Sequence, residues 1–259
     1  MITLDAGTLA RGWLAVATAS KGADGSRPAL HRTVYIEQFD HGFRLSATDS
    51  YILLYCWVPE KHSEFHPEPG FDEIPFASAV AIDRYGRAAG LLQHLLTLSK
   101  SDDHKGLECT LHLNVEWQPE EADPADRQLD GFDALAVRIE YPDSERVQLP
   151  VYEGAYPNFA RLLDVKPSRT DGIALSQQMC ARLGKASAPH GDLTIVRCRF
   201  TGRNKPVLVE FGSDPVVSGL AMPCRWDLES NEPELPPAKE PKALAAAIDA
   251  SSREIGPSE

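Results

Sequence analysis

The chain has 259 residues, enough for one large domain or two of ordinary size. Hydrophobic residues make up 42% and charged residues 25%, which supplies a core and excludes wholesale disorder. With 26 Lys plus Arg against 38 Asp plus Glu, the formal charge is -12, so a body that coats DNA with its whole surface is excluded, while a basic stripe on an acidic body is not. The cysteines are Cys56, Cys109, Cys180, Cys198 and Cys224, an odd set without a C-x-x-C pair. That speaks against a disulfide framework or a cysteine zinc site and for a reduced, cytoplasmic setting. No apolar run is long enough to span a bilayer, and Asp5 and Arg11 break the apolar N-terminus that could be taken for a signal peptide.

In chain order the same layout recurs: a helix followed by strands. Leu9, Trp13, Val16 and Ala17 predict a first helix over about 7–20. Strands are expected near 30–37, 43–48 and 51–58, with a turn at Asp40-His41-Gly42. Leu91, Leu92, Leu95 and Leu98 mark a second helix over about 83–99, with Asp83 as its expected N-cap. From Leu107 to Trp117 apolar and polar residues alternate strictly, which predicts a strand with one wet face. After an acidic loop, a further alternating strand passes through Leu135, Val137, Ile139 and Tyr141. The aromatic segment 151–163 reads as a structured connector. A third helix over about 172–186 and strands at 193–200, 206–211 and 216–222 complete the folded part. Residues 227–259 hold five prolines and eight acidic against three basic residues, a tail expected to be disordered apart from an Ala-rich stretch at 242–250 that could form a short helix.

No Walker loop, G-x-S-x-G elbow or G-x-G-x-x-G is present. His62 and His66, with Glu64 and Asp72 nearby, have metal-ligand spacing only if helical, and Pro67, Pro69 and Gly70 predict a loop there. Asp102-Asp103-His104 reads as the end of the second helix and not as an acid/base cluster. We expect no catalytic residues, no metal and no cofactor. The cations are more informative. Arg11, Thr18 and Lys21 fall on roughly one face of the first helix; Arg84, Arg87 and His94 do so on the second; Gln178, Arg182 and Lys185 do so on the third. Three such faces in an acidic chain predict a shared surface that meets phosphate weakly and without reading sequence.

Three stretches resemble the bacterial DNA polymerase III β sliding clamp family. Leu45-Ser-Ala-Thr-Asp-Ser-Tyr-Ile-Leu53 is similar to its Ala-Thr-Asp-Gly-His-Arg-Leu signature, with Ser50-Tyr51-Ile52 in place of Gly-His-Arg. The 151–163 connector, which contains Tyr156-Pro157-Asn158, is similar to the family's Asp-Gly-Arg-Phe-Pro-Asp-Tyr link between its middle and last domains. Lys205-Pro-Val-Leu-Val209, followed by Leu220-Ala-Met-Pro-Cys-Arg-Trp226, resembles the family's closing Met-Pro-Met-Arg-Leu. The resemblance implies an α+β fold of clamp units, with antiparallel sheets outside and helices lining an inner face. It implies a domain at 1–150 like the family's middle domain, and at 151–226 a connector plus a partial last domain. It implies a non-enzymatic homo-oligomeric ring, of three or four copies, that encircles duplex DNA and tethers a polymerase; a clamp loader is the further partner that such a ring would use. The DNA-facing residues would be Arg11, Lys21, Arg84, Arg87, Arg182 and Lys185. Partner peptides would dock at Leu30, Thr48, Tyr51, Leu53, Pro157, Leu162, Met222, Pro223 and Arg225. The alternative reading is a peptide-binding adaptor or decoy that does not encircle DNA.

Overall fold

In a computed structural model the described residues are 2–20, 29–61, 67–82, 86–101, 106–116, 135–141, 146–152, 156, 163, 166–168, 173–191, 194–202 and 204–224. Met1–Cys224 form one compact unit; the second unit, Arg225–Glu259, lies outside the described residues. Strand β1 (Thr3–Asp5) leads directly into helix α1 (Ala6–Ala17). The Asp5 carboxylate caps that helix by accepting the Thr8 N–H at 2.8 Å. Strands β2 (Thr33–Phe39), β3 (Gly42–Thr48) and β4 (Ile52–Pro59) form a meander, and β5 (Ala77–Ile82) returns to the far side of β2. Helix α2 (Arg87–Leu98) precedes β6 (Glu108–Glu116), β7 (Leu135–Glu140) and β8 (Arg146–Pro150). Helix α3 (Gln177–Ser187) precedes β9 (Arg197–Arg199), β10 (Val207–Phe211) and β11 (Val217–Ala221).

The strands form two antiparallel sheets, one ordered β1-β6-β7-β8 and one ordered β5-β2-β3-β4-β11-β10-β9. The second sheet is continuous across the β4–β11 pair, so strands from the two ends of the sequence share one ladder. Gly219 makes that seam possible. A Cβ there would stand 2.0 Å from the Leu53 carbonyl oxygen. The core fills the space between helices and sheets. Trp13 and Leu9 of α1, Leu92 and Leu95 of α2, Phe43, Leu45 and Leu54 of the large sheet and Val137 and Ile139 of the small one belong to it. Helix α1 is central, packed against α2 on one side, α3 on the other and the sheet beneath. Gly12 lets it lie that close, because a Cβ would reach the Cys56 sulfur at 2.8 Å. Truncating Trp13, 1% exposed, would cost about 3–5 kcal/mol on the scale of aromatic core truncations.

The three expected helices form, with shifted bounds. The second begins at Arg87 with Gly86 as N-cap at φ 70, not at Asp83, which lies outside the described residues. The third begins after Ser176, whose hydroxyl accepts the Met179 N–H at 3.1 Å and fixes the start there. Strict alternation along β6 holds only to His112. A register shift follows before Val115, with Asn114 at φ 53, a conformation its short amide tolerates. The strand expected over 193–200 is confined to Arg197–Arg199. Strands β1, β5 and β8 are additional to the expected set. They are short, and β5 (ASAVAI) is rich in alanine, which leaves no pattern of alternation to read.

Candidate functional site

Alternate residues of a strand face opposite sides of its sheet. Phe43, Leu45, Ile52, Leu54 and Cys56 face the core under the helices. Their neighbours Arg44, Ser46, Thr48, Leu53, Tyr55 and Trp57 therefore face outward. The register aligns these outer residues into rows. One row runs Thr48, Leu53, Leu220, Leu208 and Arg199 across β3, β4, β11, β10 and β9. Its leucines form an apolar strip crossing the β4–β11 seam, with Leu53 and Leu220 nearly covered at 5% and 4% exposed and Leu208 at the edge of an outer groove. Leu53 and Leu220 are packed with Tyr35, Phe71, Tyr156, Leu163 and Leu208 in a cluster separate from the main core. Tyr156 stacks on Tyr35 with ring centroids 4.3 Å apart, and Phe71 meets Tyr55 edge-on at 5.1 Å. Burial pushes the Tyr35, Tyr55 and Tyr156 phenols up, so the cluster presents neutral aromatic rings. Beyond Leu208 the surface opens into a cavity of about 130 Å³ with Arg197, Arg199 and Glu210 at its rim. Arg197 pairs with Glu210 at 2.8 Å and is 70% exposed.

The turn between β3 and β4 shapes one end of the groove. The Asp49 carboxylate accepts the Tyr51 and Ile52 N–H groups, each at 3.0 Å, and the Thr48 hydroxyl donates to the Ile52 carbonyl at 2.9 Å. Ser50, where the related signature has glycine, adopts φ 75. The Met222 N–H donates to the Tyr51 carbonyl at 2.8 Å, extending the seam by one bond. Tyr51 is 55% and Met222 39% exposed, side by side at that end. Of the expected peptide-site residues, the structure brings Thr48, Tyr51, Leu53, Met222 and Pro223 together around the seam. Pro157, Leu162 and Arg225 lie outside the described residues, as does the side chain of Leu30. Sequence reasoning missed Tyr35, Phe71, Tyr156, Leu163, Leu208 and Leu220. Leu220 shares the outward parity of Met222, a signal that was there to be found.

The cations divide differently from the expectation. Arg11 donates to the Asp214 carboxylate at 2.8 Å, which ties α1 to the turn between β10 and β11. Arg182 pairs through Nη1 with the Asp49 carboxylate at 2.6 Å, while its Nη2 and Nε donate to main chain at the end of α1, Nη2 to the Thr18 carbonyl at 3.0 Å. Its side chain is 12% exposed and that of Asp49 only 3%. Both guanidinium groups are thus paired within the chain, Arg182 in a nearly buried pair and Arg11 with an exposed carboxylate. Lys185 on α3 is exposed, and Arg87 at the start of α2 is half-buried. Lys21 and Arg84 lie outside the described residues, as do His62, Glu64, His66 and Asp102-Asp103-His104. Among the described residues no group of three His, Cys, Asp or Glu side chains is placed to hold a metal ion, and no helix is long and apolar enough to cross a membrane.

No family model matches the sequence, and no curated protein does. Solved structures do match. The DNA polymerase sliding clamp of Pseudomonas aeruginosa superposes with a TM-score of 0.53 at 13% identity, over 86% of this chain and 65% of that one. A putative DNA polymerase III β subunit from Eubacterium rectale gives 0.51 at 9% identity, over 87% and 65%. The Pseudomonas aeruginosa clamp bound to griselimycin gives 0.50 at 14% identity, over 86% and 65%. The chain thus spans 65% of the length of the clamp with which it superposes at 0.53. Two antiparallel sheets, helices on one face and these superpositions agree: the chain has the α+β fold of the bacterial DNA polymerase III β sliding clamps.

Proposed function

We propose that the protein is a sliding clamp, a ring of three or four copies that encircles duplex DNA and holds a polymerase by a linear peptide in the outer groove. The observation that carries this reading is the segregation of charge. The three helices contain Arg11, Arg87, Arg182 and Lys185 and not one Asp or Glu. At the chain-wide acidic content, about five would be expected over that length. An acid-free helix layer on an acidic body suits a surface that faces phosphates while the outside repels them. Few net cations per copy make contact weak and independent of sequence, as sliding requires. Retention then comes from ring closure. Strands β5 and β9 end the large sheet; residues 151 and 152 already bond to the outer side of β5, so edge pairing between copies that closes a ring would start from β9. A closed ring needs a loader to open it, and the reading places the protein in the cytoplasm with the replication machinery. The apolar strip of Leu53, Leu220 and Leu208 with its aromatic neighbours, bordering the groove beside Leu208, suits leucine or phenylalanine anchors of an extended peptide. Nothing in this role calls for a catalytic group or a cofactor.

One observation favours a second reading, a groove-bearing adaptor or decoy that does not encircle DNA. Two of the four helix cations, Arg11 and Arg182, are already paired within the fold. Retention on DNA separates the two. The protein, with the loader of its own replication system, is placed on nicked circular plasmid and passed over a sizing column, before and after linearisation. A clamp co-elutes with the circle and is released from the linear form. Equal behaviour on both, with a monomeric mass by light scattering, would overturn the clamp reading and leave the adaptor.

A further inference from the structure

We propose that the outer face carries a second docking site, independent of the groove and of any ring, which takes a segment of a partner protein that is both cationic and apolar. The site is a cavity of about 420 Å³ between the β2–β3 hairpin, the end of β4 and the segment 67–76. Its walls include Phe39, Trp57, Ile74 and Phe76, and Asp40 and Glu73 stand at its rim. Ile74 is 91% and Phe76 80% exposed.

These apolar side chains are held in water by an ordered frame. Arg44, 2% exposed, donates to the Pro69 and Gly70 carbonyls and pairs with Glu68 at 3.3 Å and Glu37 at 3.6 Å. The Gly70 N–H donates to the Glu73 carboxylate at 2.7 Å, and the Phe76 N–H donates to the Gln38 carbonyl at 2.7 Å. A segment pinned at both ends that still presents isoleucine and phenylalanine outward has the form of a recognition surface.

Charge identifies the occupant. Asp40, Glu68 and Glu73 line the cavity together with His41, and no Lys or Arg does among the described residues. Glu68 is matched by Arg44; Asp40 and Glu73 have no cationic partner among the described residues. Aromatic faces beside carboxylates favour a guanidinium or ammonium group. The protein already uses this chemistry: the Arg44 guanidinium lies 5.0 Å from the Phe39 ring centroid and 4.3 Å from that of Phe71. An incoming arginine would find Asp40, Glu73 and the aromatic walls, while an apolar neighbour covers Ile74 and Phe76. The Trp57 indole N–H is buried without a hydrogen-bond partner among the described residues, which makes its resonance a sensitive reporter of changes at this wall. Trp57 and Leu53 share the outer face of β4 four residues apart, about 13 Å. The two sites are therefore distinct yet within reach of one extended partner.

The test uses the full chain and a fluorescein-labelled peptide, Gly-Arg-Leu-Arg-Phe-Gly, against its counterpart with glutamate for arginine, read by fluorescence anisotropy. The arginine peptide is expected to bind saturably, and the glutamate peptide to fail. Asp40→Asn with Glu73→Gln, both at exposed positions, should weaken binding about fivefold or more, on the scale of two partly exposed ion pairs. Ile74→Ser should weaken it as well, and the Trp57 indole N–H resonance should shift on titration. Leu208→Glu, in the groove, should leave binding unchanged. No saturable binding, equal binding of the glutamate peptide, indifference to the Asp40/Glu73 double variant, or loss with Leu208→Glu would each overturn the proposal.

Discussion

Arg182 decides between a residue that holds the fold and a residue that meets DNA. Its guanidinium joins three elements: α3 that carries it, the end of α1 whose carbonyls it caps, and the β3–β4 turn through Asp49. Arg182→Ala would leave a nearly buried Asp49 carboxylate without its guanidinium partner and strip the donors from the Thr18 carbonyl. Breaking one partner of a buried pair costs about 3–5 kcal/mol, and the 12% exposure of Arg182 puts the expected loss near the lower end, about 3 kcal/mol. Asp49→Asn keeps an acceptor for the Tyr51 and Ile52 N–H groups and should lose less, about 1–2 kcal/mol. Urea unfolding of the two single variants and the double variant gives the coupling energy directly. The double variant should be less destabilised than the sum, by about 1 kcal/mol or more. A loss below about 1 kcal/mol for Arg182→Ala, with an unchanged midpoint and a clear fall in DNA retention, would refute the reasoning and return Arg182 to the DNA-facing surface.

Three further outcomes follow from local geometry. Gly219→Ala sets a methyl group 2.0 Å from the Leu53 carbonyl oxygen and must part the β4–β11 seam; we expect a loss of about 3 kcal/mol or more in chemical unfolding, and a near-neutral result would show that the seam is looser than described. Ser50→Gly should stabilise by about 0.5–1 kcal/mol, because Ser50 sits at φ 75, and a loss in melting temperature would contradict this. Burial, and next the Arg11 charge, hold His190 down to about 4 from its ordinary 6.5, against the opposing pull of Asp214. The unfolded chain therefore binds the proton first, and stability should fall as the pH drops from about 6.5 towards 4. His190→Gln should flatten that part of the stability profile, measured by thermal melts across the range, and an unaltered slope would assign it to other groups.

The residues that set local structure could be read directly. Leu9, Trp13 and Val16 recur at helical spacing and form the buried side of α1, and Leu92 and Leu95 do the same for α2. The alternation through Cys109 and Leu111 marks β6, because a half-buried strand must alternate. The β4–β11 seam was legible only in part. Leu53 and Met222 were identifiable through the resemblance of their flanking motifs. Their pairing across more than 160 residues was not, since register depends on which edges meet and is not a property of either strand alone.

The roles of the arginines were the least legible. A helical wheel places Arg11 and Arg182 on outward faces, and a cation on an outward face looks the same whether water, phosphate or a distant carboxylate receives it. Asp214 and Asp49 lie 203 and 133 residues away from these cations, and only the packed chain brings them within 3 Å. Arg44 makes the same point from the other side: in sequence it is a polar position on a strand, and in the structure it is the buried staple of the outer segment. Periodicity and composition by themselves determined the helices and the one-faced strands, because each depends on near neighbours in the chain. The partners of the charges, the apolar strip across the seam and the cavity beside Trp57 were decided by tertiary structure alone, because each is made by residues that only folding places together.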